Sequence, residues 1–149
     1  MSDILVNSAN AAGIRCVSTV DEGGWITTVA RIDTPDGTRL VQAEVSEITL
    51  RVFNRSTATR PSEPICPNAT LLAADVVFDT LQTDGYWNAD LAGSLGYNFR
   101  HTMKPGVHPW ENAELRGGEK YQLEYTIDTA LFGPLRVIHV VDVLEVLSQ

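Results

Sequence analysis

Positive charge is scarce in this sequence. Lysine and arginine number 11 against 19 aspartates and glutamates in 149 residues, a formal net charge of −8. Nucleic-acid binding needs a basic surface to neutralise phosphates, so this balance argues against that class of partner. Cysteine is scarcer still. Cys16 and Cys66 are too few and too far apart for a disulfide scaffold or a zinc cluster, and two mostly buried thiols are expected instead. Long apolar runs are missing too. The longest, "VIHVVDVLEVL", is interrupted by His139, Asp142 and Glu145 and falls short of the roughly 20 residues of a membrane helix. The start, "MSDILVNSANAAGIR", has neither the basic region nor the long apolar core of a secretion signal. The expectation is synthesis in a cytoplasm, with no membrane partner.

Motifs that carry chemistry are absent as well. There is no G-x-S-x-G, no G-x-G-x-x-G and no P-loop, and "EGGW", "RGGE" and "AGSLGYN" read as isolated turn glycines. "VDEGG" and "TPDGTR" lack the spaced carboxylates of a calcium loop. "NRS" at Asn54 and "NAT" at Asn68 match the glycosylation pattern, which has no consequence without secretion.

What is present is alternation. Apolar residues make up 44% and charged residues 20%, a globular balance with enough apolar matter for one sizeable core. In "WITTVARI", Trp25, Thr27, Val29 and Arg31 fall on one face and Ile26, Thr28, Ala30 and Ile32 on the other. Ile48, Leu50 and Val52 alternate with Glu47, Thr49 and Arg51. In "KYQLEYTID", Tyr121, Leu123, Tyr125 and Ile127 alternate with Gln122, Glu124, Thr126 and Asp128. "IRCVSTV", a short strand around Val76–Phe78, "GYNFRHTM" and the long "RVIHVVDVLEV" complete the set; "DTLQTD" reads as one helical turn. Turns such as "TPDGTR" and "FGPL" separate the strands, and Pro61, Pro64 and Pro67 exclude a central strand or a helix from the loop around them. The fold class expected is all-β, an antiparallel sandwich over 14–149. Residues 1–13 form a flexible N-terminal arm without the apolar content to fold alone.

The stretch "GYNFRHTMKPGVHPWE" holds His101 and His108, with Glu111 close behind. A metal needs three or four converging ligands, and two histidines across a Pro-Gly turn supply no such spacing. His101 shares the apolar face of Tyr97, Phe99 and Met103, so both histidines read as structural and Glu111 as a solvated carboxylate. His139 lies in the last strand at a place the sequence does not fix. No catalytic residue, cofactor site or metal site is assigned. Trp25, Trp87 and Trp110 all sit beside turns, either as lids over the sandwich or as interface anchors. The interface residues expected are Trp87, Trp110 and, in the arm, Ile4, Leu5 and Val6.

The order of "TPDGTRL", "VQAEVSEITLRVFN", "VVFDTLQTDGYWN", "GYNFRHTM", "GGEKYQLEYTID" and a last long strand resembles small phage and prophage virion proteins. It is similar, too, to the immunoglobulin-like β-sandwich that begins phage baseplate upper proteins. There a "GxxYxxxY" strand follows a loop and precedes the last hairpin strand, and the matching residues are Gly118, Tyr121 and Tyr125. The resemblance spans Arg31 to Val146. It implies an immunoglobulin-like or jelly-roll-like sandwich and a non-enzymatic virion protein made in a host bacterial cytoplasm. Baseplate proteins continue into a long trimerising or receptor-binding region. A one-domain chain favours a decoration (cement) protein on the outside of an assembled head. Its partner would be the major capsid protein or another virion protein, with a homo-oligomer, a trimer among the options, as its own state. The alternatives are a tail, neck or baseplate adaptor, and a carbohydrate-binding host-attachment module that stacks sugars on Trp87 or Trp110.

Overall fold

The computed structural model describes residues 14–56, 63–85, 96–111 and 113–146. The arm, with Ile4, Leu5 and Val6, and Trp87 lie outside the described residues. Eight strands are formed among those described: β1 (Ile14–Asp21), β2 (Ile26–Ala30), β3 (Val45–Asn54), β4 (Ala69–Leu71), β5 (Val77–Gln82), β6 (Tyr97–Met103), β7 (Lys120–Thr129) and β8 (Gly133–Leu144). They make two sheets packed against each other as a sandwich, a five-stranded one in the order β1-β8-β7-β3-β4 and a three-stranded one in the order β2-β6-β5.

Alternation sets which side chains meet between the sheets. Ile48, Leu50 and Val52 of β3, Tyr121, Leu123, Tyr125 and Ile127 of β7, and Val137, Val141 and Val143 of β8 are almost wholly buried. From the smaller sheet they meet Ile26 and Ala30 of β2 and Phe99 and Met103 of β6. The Phe99 and Tyr125 rings contact edge to face at 5.1 Å. The opposite parity of β7 (Gln122, Glu124, Thr126) is only partly buried, as expected of a sheet with one wet face.

Three local features differ from the sequence reading. The pairing is not wholly antiparallel, because β1 runs parallel to β8 from Ile14↔Val137 to Asp21↔Leu144. A parallel pair needs a long crossover, and here most of the chain intervenes, so no local pattern reports it. The helical turn comes before the β5 strand, at Ala73–Val76, and "DTLQ" is itself strand. Two alanines favour the turn at 73–76, while pairing with β6 holds residues 77–82 extended. Finally, the proline-rich loop ends in β4, a three-residue strand that, among the described residues, pairs only with β3. Its edge position and shortness are compatible with Pro67 just ahead of it.

The "TPDGTR" turn forms as its chemistry dictates. Asp36 accepts from the Thr38 amide at 3.1 Å and from the Thr38 hydroxyl at 2.8 Å, and Thr34 Oγ1 donates to it as well. These bonds hold the Asp36 carboxyl below the ordinary aspartate value, the Thr34 bond most of all. Gly37 closes the turn at φ 88° with open space around its Cα. Gly37→Ala is expected to destabilise the domain by about 1 kcal/mol, from left-handed strain alone. A urea titration in which the variant matches the parent would show that this turn does not hold its geometry.

Candidate functional site

The inward faces of the strands carry five polar groups that join into one chain. Ser18 (β1) lies 2.5 Å from Nε2 of His139 (β8), and Thr28 (β2) lies 2.7 Å from its Nδ1. The Tyr125 hydroxyl (β7) donates to Thr28 Oγ1 at 3.3 Å, and Nδ1 of His101 (β6) lies 2.9 Å from that hydroxyl. His101 in turn meets Trp110 at a ring separation of 5.4 Å. The Tyr125-to-Thr28 donation fixes the order of the protons. His101 Nδ1–H donates to Tyr125, Tyr125 to Thr28, Thr28 to His139 Nδ1, and His139 Nε2–H to Ser18. Every link is neutral, and three of the four cross from one sheet to the other.

Burial is what keeps the relay neutral. His139 is fully buried, and desolvation pushes its pKa down to about 4. His101 is also lowered to about 4, first by desolvation and then by the nearby Lys104 charge. Burial raises the Tyr125 hydroxyl, and it raises the Cys16 thiol to about 12. Cys16 lies opposite His139 in the β1–β8 register and its thiol donates to Val29 O at 3.6 Å. A serine beside an imidazole is the pairing of an activated nucleophile. Here Ser18 is 5% exposed and His139 0%, and the second imidazole nitrogen faces Thr28 rather than a carboxylate. The arrangement ties the sheets together by hydrogen bonds and offers no approach for a substrate.

His108 is placed differently. Its Nδ1 lies 2.7 Å from Glu111 Oε2 on an exposed turn. Glu111 is held below the ordinary glutamate value, first by its own backbone N–H and then by His108. Glu111 is a solvated carboxylate, and the turn brings it onto His108. His101 is not part of this pair, since it points into the sandwich. Among the described residues, no three His, Cys, Asp or Glu side chains converge as a metal site would require.

The outer surface holds the other notable group. Trp25 is 57% exposed just ahead of β2, and Lys104 Nζ stands 4.6 Å from its ring centroid. Val107, in the turn after Lys104, is also exposed. Leu144 and Val146 are exposed at the same end, where the Glu22 N–H donates to Leu144 O at 2.8 Å. Close by, a shallow depression of about 330 Å³ is lined by Thr19, Ser56, Glu119, Lys120, Asp142 and Leu144. Lys120 and Asp142 pair across it at 3.6 Å. Trp110, expected as an anchor, is 6% exposed and packs on His101 inside the core. It acts as the lid, and of the two described tryptophans Trp25 is the one presented to solvent. Alternation puts Trp25 on the face opposite Ile26 but does not tell which of the two faces is outward. No protein-family model matches the chain, and no curated protein or solved structure does either.

Proposed function

We propose that this chain is a non-enzymatic structural protein of a phage particle that docks on the outside of an assembled head and stabilises it. The observation that carries a docking role is the exposed tryptophan ahead of β2, Trp25, with Val107 exposed in the turn after Lys104. Tryptophan is enriched among residues that dominate binding energy, and here it is held in place by Lys104 rather than by the core. The virion setting comes from the sequence resemblance. The mechanism is mass action. A protein that binds the assembled shell, and not its free subunits, shifts the equilibrium toward the shell. Repetition of the site over a symmetric particle multiplies a weak contact.

The experiment is purification with associated proteins and a count of copies per particle. Copies in the hundreds support head decoration, and six or twelve assign the protein to the neck, tail or baseplate. Absence from every particle overturns the proposal. Trp25→Ala is expected to leave the melting temperature nearly unchanged, within about 0.5 kcal/mol for an exposed position. Attachment is expected to weaken roughly thirtyfold, as for a loss of about 2 kcal/mol at an anchor. Retained attachment would move the docking surface elsewhere. The exposed face of Trp25 also suits a sugar ring, so the same variant, assayed on immobilised glycans, tests the host-attachment reading.

A further inference from the structure

We propose that β1 is a homodimerisation edge, on which two copies pair their β1 strands antiparallel about Ser18 and join their five-stranded sheets into one. The two edges of that sheet are unlike. β4 is three residues long and follows Pro67, both features that blunt an edge. β1 is eight residues long and contains no proline and no lysine. On one side it pairs with β8, and among the described residues no strand lies on its other side. Such an edge is a template for another strand.

The backbone parity makes that edge usable. The Glu22 N–H, just past the strand, donates to Leu144 O on β8 at 2.8 Å. Even-numbered positions of β1 therefore turn their backbone groups toward β8, and odd-numbered positions turn theirs away. The even side chains are engaged inside, Ser18 with His139 and Cys16 with Val29 O. The odd ones, Val17, Thr19 and Asp21, face outward and are exposed, with Val17 at 49%.

The occupant follows from the sequence of the strand itself. Antiparallel pairing about Ser18 puts Val17 opposite the partner copy's threonine at position 19, and the reverse. It puts Asp21 at the register position opposite arginine 15 of the other copy, an acidic position against a basic one at each end. Sliding the pairing by two residues, which moves the two-fold axis by one, sets Asp21 against Val17 or past the start of β1 and loses both acidic–basic pairings. Sliding it by one residue sets core-facing positions against outward ones. The strand is thus self-complementary in one register. All but the Asp21 carbonyl, which accepts from Gly24 N–H, are then available as outward groups, giving about six backbone bonds between copies.

Sedimentation velocity on the full chain over a wide concentration range tests this, with circular dichroism to confirm the fold of each variant. A monomer–dimer equilibrium is expected. Asp21→Arg is expected to weaken it about tenfold or more, and Arg15→Asp combined with Asp21→Arg to restore it. Val17→Lys, at a side chain already half in solvent, is expected to weaken it as well, and it carries the test if Asp21→Arg does not fold. A wild-type chain that stays monomeric throughout overturns the proposal. A dimer indifferent to Val17→Lys and Asp21→Arg does so too, as does one lost on deleting residues 2–13 but kept in both β1 variants. Failure of the double swap to restore the dimer overturns the register. None of these outcomes depends on whether the protein is found on a particle.

Discussion

Acidification from pH 7 to pH 4 is expected to remove about 3 kcal/mol of stability through His139 alone. In the unfolded chain this histidine titrates near 6.5, and in the fold burial holds it at about 4. Below 6.5 the unfolded state therefore binds a proton that the folded state refuses. Stability is full above that value and falls, by at most about 1.4 kcal/mol per pH unit, as the pH drops toward 4. The relay sharpens the reason. A cationic His139 donates from both nitrogens, so Thr28 can no longer donate to Nδ1. Thr28 already accepts from Tyr125, and its own proton is left without an acceptor. His101, at the partly exposed end beside Lys104, shifts in the same direction and adds a smaller share. The depressed carboxyls of Asp36 and Glu111 have the opposite ordering of protonated and charged forms, but their stabilisation is lost only below the ordinary carboxylate range. The window between about pH 6.5 and 4.5 thus belongs to the histidines. Urea midpoints measured across it decide the matter. A flat profile would sink the relay as an energetic feature, and His139→Gln should flatten the slope by one proton while lowering the plateau.

The alternating strands were legible because each depends only on side-chain parity. Tyr121 to Ile127 and Ile48 to Val52 needed nothing beyond their own spacing. The relay was not legible, although its signal was on the page. Ser18, Thr28 and His139 each sit at an inward parity between apolar neighbours: Cys16 and Val20, Ile26 and Ala30, Val137 and Val141. A polar residue at such a position must find a buried partner. Which partner it finds depends on β1 lying parallel to β8 and on β2 facing both, and these pairings join residues more than a hundred positions apart. The tryptophans failed in a related way. Trp25 and Trp110 both stand next to turns, and only packing distinguishes a ring held against His101 from one held by Lys104. Glu111 was near enough to His108 in sequence for the turn to pair them, but turn geometry rather than composition decides that contact.

Asn98→Ala is expected to destabilise the domain by about 3 kcal/mol, a large part of an ordinary stability of about 5–15 kcal/mol. Asn98 lies in β6 at 0% exposure, and its carboxamide acts as a short piece of strand. Oδ1 accepts from Ile32 N–H at 2.7 Å, and Nδ2 donates to Ile32 O at 2.9 Å and to Leu40 O at 3.0 Å. Ile32 and Leu40 are the two ends of the "TPDGTR" turn, joined directly by Leu40 N–H to Ile32 O at 3.1 Å. Both are buried, so water does not replace the lost amide. Truncation to alanine leaves Ile32 N–H and Leu40 O unpaired, at about 1–3 kcal/mol each. Ile32 O keeps its bond from Leu40. The loss is local in origin, and hydrogen exchange is expected to quicken first at Ile32 and Leu40, with the β7–β8 hairpin least affected. Asn98→Asp separates donor from acceptor. At neutral pH a carboxylate still accepts from Ile32 N–H but faces two carbonyl oxygens with no proton to offer, so this variant should be the less stable of the two. Lowering the pH should recover part of its deficit relative to alanine, because a neutral carboxylic acid regains one donor. Urea midpoints for the two variants within about 0.5 kcal/mol of the parent would show that the turn is held by the Leu40–Ile32 bond and its own Asp36 contacts, with the carboxamide contributing little.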